Sequence, residues 1–229
     1  NYDHKSHGKI PMVDGLARSL NQATARLGMT IGLGQVADTF TRLGLQADIP
    51  PYPSILLGAI SLSPFEVAGM YQTIASQGFV MPLRTIEAVT TASGDTLSSY
   101  SLTGEQRFDP AMMQWLRYGL EQVAERGTAR RLTQHLAAPL AAKTGTTDDQ
   151  RDAWLAGFDN RHLGVIWVGR DDNKPMPFTG SSAALPIWLD TFRTAGSEPL
   201  PAATALTMAP VNDQGQLVGK GCRGTLYPF

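Results

Sequence analysis

The sequence holds one cysteine, Cys222, and four histidines among its 229 residues. A lone thiol cannot close an internal disulfide. Cys222 therefore reads either as an incidental thiol or as half of a bridge whose partner lies beyond Phe229, which an exported protein would permit. No histidine stands at a metal-ligand spacing from another histidine, cysteine or carboxylate, so neither a metal nor another cofactor is expected. The chain also has no excess of one charge: 19 Lys and Arg offset 20 Asp and Glu, scattered rather than clustered. That leaves no electrostatic footprint for nucleic acid or a membrane surface. No apolar run approaches the roughly 18 residues of a membrane span, and the polar opening Asn1-Tyr2-Asp3-His4-Lys5 is no secretory leader. The chain is expected to begin after any targeting element.

What is present is ordinary for a folded domain, with 42% hydrophobic residues in recognisable periods. Ile10 to Gly28 reads as helix, opened by Pro11 and broken near Ser19-Leu20-Asn21. Leu33, Val36, Ala37, Phe40 and Leu43 form a second helical face that stops at Gly44, before a connector at Pro50, Pro51 and Pro53. Ser63-Pro64-Phe65-Glu66 carries the pattern of a capping box, with helix expected from there to Gly78. Ile86, Val89, Thr90 and Thr91 before Ser93-Gly94-Asp95 predict a small hairpin. Asp109-Pro110 opens a helix with Met113, Leu116, Leu120 and Val123 on one face, ending at Gly127. Three short segments follow, Leu140 to Thr147, Ala153 to Phe158 and His162 to Gly169, expected as successive antiparallel strands. Ser182 to Thr194 is a last amphipathic helix, and the Pro- and Gly-rich stretch from Ala195 has no helical period. Helices followed by a sheet-and-helix unit indicate α+β.

Two motifs carry candidate chemistry. Ser19-Leu20-Asn21 falls at the expected break between helices, and Lys143-Thr144-Gly145-Thr146-Thr147 falls on an expected strand. Each has a bland reading: Ser19 as a helix cap, the threonines as β-propensity residues, Lys143 as a solvated edge-strand lysine. A phosphate loop is excluded, because Lys143 precedes its glycine and no Gly-x-x-x-x-Gly-Lys is present. Trp154, Trp167 and Trp188 read as core or sheet-face aromatics. Asp148, Asp149, Arg151 and Asp152 read as a solvated turn.

In order, separation and placement the two motifs resemble those of the serine-acylating penicillin-recognising enzymes. The likeness extends through Gly8-Lys9-Ile10-Pro11-Met12, Leu56 to Ala68, Arg126-Gly127-Thr128-Ala129, Asp152 to Gly157 and Trp167 to Asp171. Together these are most similar to the bifunctional class A penicillin-binding proteins of the 1b type. The resemblance implies an α+β penicillin-binding transpeptidase or serine β-lactamase-like fold, with a central antiparallel sheet flanked by helices. It implies a transpeptidase domain over residues 1–194, with 195–229 as a tail or small extension.

It also implies roles. Ser19, Asn21 and Lys143 would be catalytic, Ser19 relaying a proton and Asn21 holding the acylated chain. Thr144, Gly145, Thr146 and Thr147 would bind substrate, with the Thr146 N–H as an oxyanion donor and the Thr144 and Thr146 hydroxyls on a terminal carboxylate. The nucleophile belongs to a Ser-x-x-Lys helix expected upstream of Asn1. The literal match Ser6-His7-Gly8-Lys9 is a decoy, since Gly8 and Pro11 argue against a helix there. The implied partners are peptidoglycan stem peptides, a lipid-linked precursor and β-lactams. Outer-membrane lipoprotein or divisome regulators follow from the same likeness, as do an absent glycosyltransferase domain and membrane anchor. The implied location is the periplasmic side of a single-pass inner-membrane protein. Rival readings are a serine β-lactamase and a non-enzymatic penicillin-binding sensor or scaffold.

Overall fold

The computed structural model describes residues 1–212, 215–219 and 224–228; Cys222 lies outside them. The chain opens with helix α1 (Met12–Ala17) and helix α2 (Asn21–Ile31), which share the helical segment expected there and break where the sequence indicates. The break is a Schellman ending. The Ser19 N–H donates to Leu16 O at 3.1 Å and the Leu20 N–H to Gly15 O at 2.9 Å, the paired bonds that satisfy the last carbonyls of a helix. Such an ending requires a left-handed residue, and Ser19 supplies it at φ 56°. Glycine is the usual occupant because a Cβ in this conformation costs about 1–2 kcal/mol. Ser19 is therefore not the cap of α2: that position is Leu20, which makes no side-chain cap bond.

Helix α3 (Leu33–Arg42) and a 3-10 turn at Pro53–Leu57 lead to α4 (Pro64–Ala75), whose capping box is complete. The Ser63 Oγ accepts from the Glu66 N–H at 3.2 Å, and the Glu66 carboxylate accepts from the Ser63 N–H at 2.7 Å. Helix α4 stops three residues short of Gly78, whose φ of 97° turns the chain instead. Strand β1 (Phe79–Val80) later pairs with β4 (Glu105–Gln106), a contact too short for a periodic signal. Between them β2 (Ala88–Thr90) and β3 (Thr96–Ser99) form the expected hairpin. Helix α5 (Pro110–Arg126) starts on Asp109, whose carboxylate accepts from the Ala111 N–H at 2.7 Å, and ends at Gly127.

The sheet comprises β5 (Ala141–Thr146), β6 (Asp152–Phe158) and β7 (Leu163–Gly169), antiparallel in the order β5-β6-β7. One face carries Ala142 and Leu155 into a core with Val123, Ala129, Leu132, Leu185, Trp188 and Phe192. The other carries Ala141 and Phe158 against Ile74, Phe108, Met113 and Leu120. A π-helical turn at Gly180–Ala184 precedes α6 (Leu185–Ala195). This helix lies close on β7 because Gly164 has no side chain: a Cβ there would meet Phe192 at 2.7 Å and the Trp188 indole at 2.9 Å. Trp188 is fully buried, stacked on Phe192, with its N–H on Gly164 O at 3.0 Å.

Beyond α6 the sequence carries no periodic signal, yet β8 (Met208–Val211) and β9 (Thr225–Pro228) pair antiparallel. The Tyr227 hydroxyl donates to Asp14 Oδ2 at 2.7 Å, and Arg126 pairs with Asp14 Oδ1 at 2.6 Å. The far end of the chain is thereby fastened to α1 and α5.

The left-handed Ser19 has a measurable consequence. Ser19→Gly and Ser19→Ala both remove the hydroxyl, but only alanine keeps a Cβ in the disfavoured conformation. Urea unfolding is expected to find the glycine variant more stable than the alanine variant by about 1 kcal/mol.

Candidate active site

Period-two alternation places Lys143 and Gly145 on one face of β5 and Thr144 and Thr146 on the other. The Lys143 ammonium crosses to the break between α1 and α2, donating to Ser19 Oγ at 2.8 Å and to Thr144 O at 2.8 Å. The Lys143 side chain is half-buried, but the ammonium at its tip is desolvated. Burial pushes its pKa down from 10.5 to about 8, because removing a cation from water favours the neutral amine. With Lys143 as the donor, the Ser19 proton is left free for a third group. The solvated edge-strand reading of Lys143 and the helix-cap reading of Ser19 both give way to this contact.

Two close approaches hold the Ser19 turn in place. A Cβ on Gly119 of α5 would meet Leu16 at 2.8 Å, and one on Gly127 would meet Ala17 O at 2.1 Å. Helix α1 is therefore seated directly on the backbone of α5. Leu20, 6% exposed, anchors the residue after Ser19 in the interior.

Strand β5 is an edge of the sheet. The Thr147 N–H donates to Asp152 O at 3.1 Å, toward β6. Alternation along an antiparallel ladder then turns the N–H of Thr146 away from β6, to the open edge. An extended peptide laid on that edge would find this donor beside the Lys143 charge, the geometry of strand addition.

The other expected residues are placed differently. Asn21 is the first residue of α2, two positions from Ser19 and exposed; its amide makes no hydrogen bond among the described residues. The Thr146 hydroxyl accepts from the Gly180 N–H at 3.0 Å and keeps its own proton to donate. Thr144 is 8% exposed, its hydroxyl 2.6 Å from that of Thr128. Thr147 closes the turn after the strand: its hydroxyl donates to Asp152 Oδ2 at 3.0 Å and accepts from the Asp152 N–H at 2.8 Å. Gly145 faces Trp154, whose Cβ would lie 3.1 Å from an added Cβ, so this glycine already serves the sheet face. Trp154 and Trp167 pair across β6 and β7 with ring centroids 6.3 Å apart, and the Trp167 indole donates to Asp152 at 2.9 Å. Thr128, in the run Arg126-Gly127-Thr128-Ala129, carries no signal of this contact in its residue type or spacing.

Ser6 and Lys9 lie in irregular chain with Gly8 at φ 65°. They are not on a helix, so they cannot meet one turn apart. Two surface hollows, of about 460 and 300 Å3, contain none of Ser19, Asn21, Lys143 or Thr146 in their linings. Among the described residues the Ser19–Lys143 contact lies beside the open edge of β5.

Residues 1–184 match the penicillin binding protein transpeptidase domain family. The chain is 42% identical over 190 residues to penicillin-binding protein 1B of Vibrio cholerae, covering 82% of this chain and 24% of that protein. It is 40% identical over 188 residues to penicillin-binding protein 1B of Escherichia coli, covering 81% and 22%. The chain thus spans about a quarter of the length of these curated relatives. Its fold superposes on penicillin-binding protein 1A of Haemophilus influenzae with a TM-score of 0.90 at 22% identity, covering all of this chain and 41% of that one. With its Ser-x-Asn turn and Lys-Thr-Gly strand joined in space, and with these likenesses over most of its length, the chain belongs to the penicillin-binding transpeptidase family and resembles its class A, 1B-type members.

Proposed function

We propose that this chain forms part of a D,D-transpeptidase that cross-links peptidoglycan stem peptides through a serine acyl-enzyme and is acylated by β-lactams. The observation that carries the reading is the Lys143–Ser19 hydrogen bond beside the open edge of β5. The nucleophilic serine is supplied by a Ser-x-x-Lys helix outside this sequence. Its oxygen attacks the carbonyl of the penultimate D-Ala of a stem peptide; the C–N bond to the terminal D-Ala breaks. The proton lost by the serine reaches the departing amine by way of Ser19. An amine of a neighbouring strand then attacks the ester, regenerating the serine and completing the cross-link.

The residues on this chain divide that work. The Lys143 charge stabilises both the substrate carboxylate and the developing oxyanion, where fixed charges in a water-poor site act most strongly. The Thr146 N–H is one oxyanion donor and its hydroxyl a carboxylate ligand. Asn21, exposed at the mouth of the turn, is available to hold the acylated chain. The donor and acceptor stem peptides and the lipid-linked precursor are the substrates. Regulators on the outer-membrane or division side belong to the same reading, as does a glycosyltransferase domain elsewhere in the protein. No helix of the described residues is long and apolar enough to cross a membrane, and an anchor elsewhere would hold this part in the periplasm. Residues 1–194 form the transpeptidase portion in this reading and 195–229 an extension tied back to it.

Incubated with a fluorescent penicillin, the 229-residue chain by itself is expected to take up no covalent label, and an adduct mapped to Ser6 would overturn the assignment. In the full-length protein, labelling is expected to be stoichiometric and slow to reverse, where rapid turnover would indicate a β-lactamase. Release of D-Ala from a stem-peptide mimic separates the enzyme from an inert sensor. Lys143→Ala should slow acylation by about a hundredfold or more, and Ser6→Ala should leave it at the wild-type level.

The desolvated ammonium also sets a pH dependence. Its folded pKa, about 8, lies below the unfolded 10.5. Its burial penalty is thus fully present below pH 8 and is relieved between pH 8 and 10.5, as the folded state sheds its proton first. Because the charged form is the active one, acylation should fall as pH rises through about 8. A titration of the Lys143 Cε resonance, assigned with Lys143→Arg, should show the same midpoint; a value near 10.5 would sink the desolvation argument.

A further inference from the structure

Three hydrogen bonds converge on Thr128, the residue after the glycine that ends α5. Its N–H donates to Ala17 O at 3.2 Å, its hydroxyl lies 2.6 Å from the Thr144 hydroxyl, and its carbonyl accepts from Ser181 Oγ at 3.1 Å. Ala17 stands two residues before Ser19, and Thr144 follows Lys143 directly. One residue therefore touches both of the strips of chain that meet in the Ser19–Lys143 contact, and Ser181 braces it from behind. Gly127 makes the approach possible, since a Cβ there would lie 2.1 Å from Ala17 O.

We propose that Thr128 is a positioning residue, which sets the separation of Ser19 and Lys143 by tying the α1–α2 turn to strand β5. The inference rests on the transpeptidase reading above. A hydrogen bond weakens steeply with misalignment, and the Ser19–Lys143 bond joins two otherwise separate elements. The tie to Thr144 is not replaceable by solvent, because Thr144 is 8% exposed and a buried hydroxyl that loses its partner stays unpaired. Without the Thr128 hydroxyl, β5 keeps its pairing with β6 but loses its fixed distance to the turn. Ser19 then spends less time within reach of Lys143, and the proton relay slows.

The test is a double-mutant cycle on acylation of the full-length protein by a fluorescent penicillin, with Thr128→Val, Thr128→Ser, Ser19→Ala and the combination of Thr128→Val with Ser19→Ala. Valine keeps the shape and the backbone bonds and removes only the hydroxyl. Thr128→Val is expected to lower the acylation rate constant by on the order of tenfold, and Thr128→Ser to restore most of it. In the Ser19→Ala background, Thr128→Val should change the residual rate little, because the contact it positions is already gone. An equal fold-loss in both backgrounds marks a merely structural role and overturns the proposal, as does full activity of Thr128→Val. Should Thr128→Val fail to fold, Ser181→Ala takes its place: a loss of about threefold that disappears in the Ser19→Ala background supports the proposal, and unchanged acylation overturns it. A wild-type protein that takes no label refutes the transpeptidase reading itself, an outcome distinct from a labelled wild type with an indifferent Thr128→Val.

Discussion

The hydrogen bond from the Lys143 ammonium to the Ser19 hydroxyl joins residues 124 positions apart, and a desolvated cation stands at its centre. A cation out of water needs acceptors, and among the described residues this one has two, Ser19 Oγ and Thr144 O. That requirement couples the first helices to the sheet. The sheet supplies the lysine from a strand whose far side is packed into the core. The helices supply the serine from a turn that the backbone would more readily build with glycine. Strain of this kind persists where the surroundings over-determine it, and here they do: α1 packs on Gly119 of α5 and on Gly127 just beyond it, Leu20 is sunk in the interior, and Asp14 of α1 is held by Arg126 of α5 and Tyr227 of β9.

The same frame explains why the Thr146 donor lies on an edge. Strand β6 is paired on both sides and β5 on one, so the outward donors of β5, Thr146 N–H among them, are available to an extended ligand. Behind the strand, Gly180 sits so close to the Gly145–Trp154 pair that a Cβ would meet Trp154 O at 2.4 Å and Gly145 O at 2.5 Å. The Gly180 N–H in turn holds the Thr146 hydroxyl. The π-helical turn therefore acts as a backing for β5 and leads directly into α6, which lies close on β7 at Gly164. Among the described residues the result is a donor-rich strand edge with the Lys143 charge and the Ser19 turn beside it.

Much of this was legible in the sequence. The helix break at Ser19, the capping box at Ser63, the Asp109 cap, the hairpin at Ser93-Gly94-Asp95 and the three antiparallel strands all appear where periodicity and turn chemistry place them. These are local effects, written in residues within a few positions of one another. The β1–β4 pair and the β8–β9 hairpin were not legible, because each strand is too short or too irregular to show a period, and each is stabilised by a distant partner. The end of α4 at Ala75 rather than Gly78 is of the same kind: the carbonyl of Phe108, which a Cβ on Gly78 would meet at 2.5 Å, decides where that turn goes.

By itself the sequence determined the α+β class, the order of the elements and the two motifs, since these follow from side-chain periods, caps and residue types along the chain. Only the tertiary structure decided that Ser19 is a strained Schellman residue rather than a cap, and that its hydroxyl faces Lys143. It likewise separated the threonines, leaving Thr146 at the open edge, Thr147 in a turn and Thr144 against Thr128. The reason is physical: a hydroxyl or an ammonium can be satisfied by many partners, and which one it meets depends on how distant helices and strands pack, a quantity that no local pattern encodes.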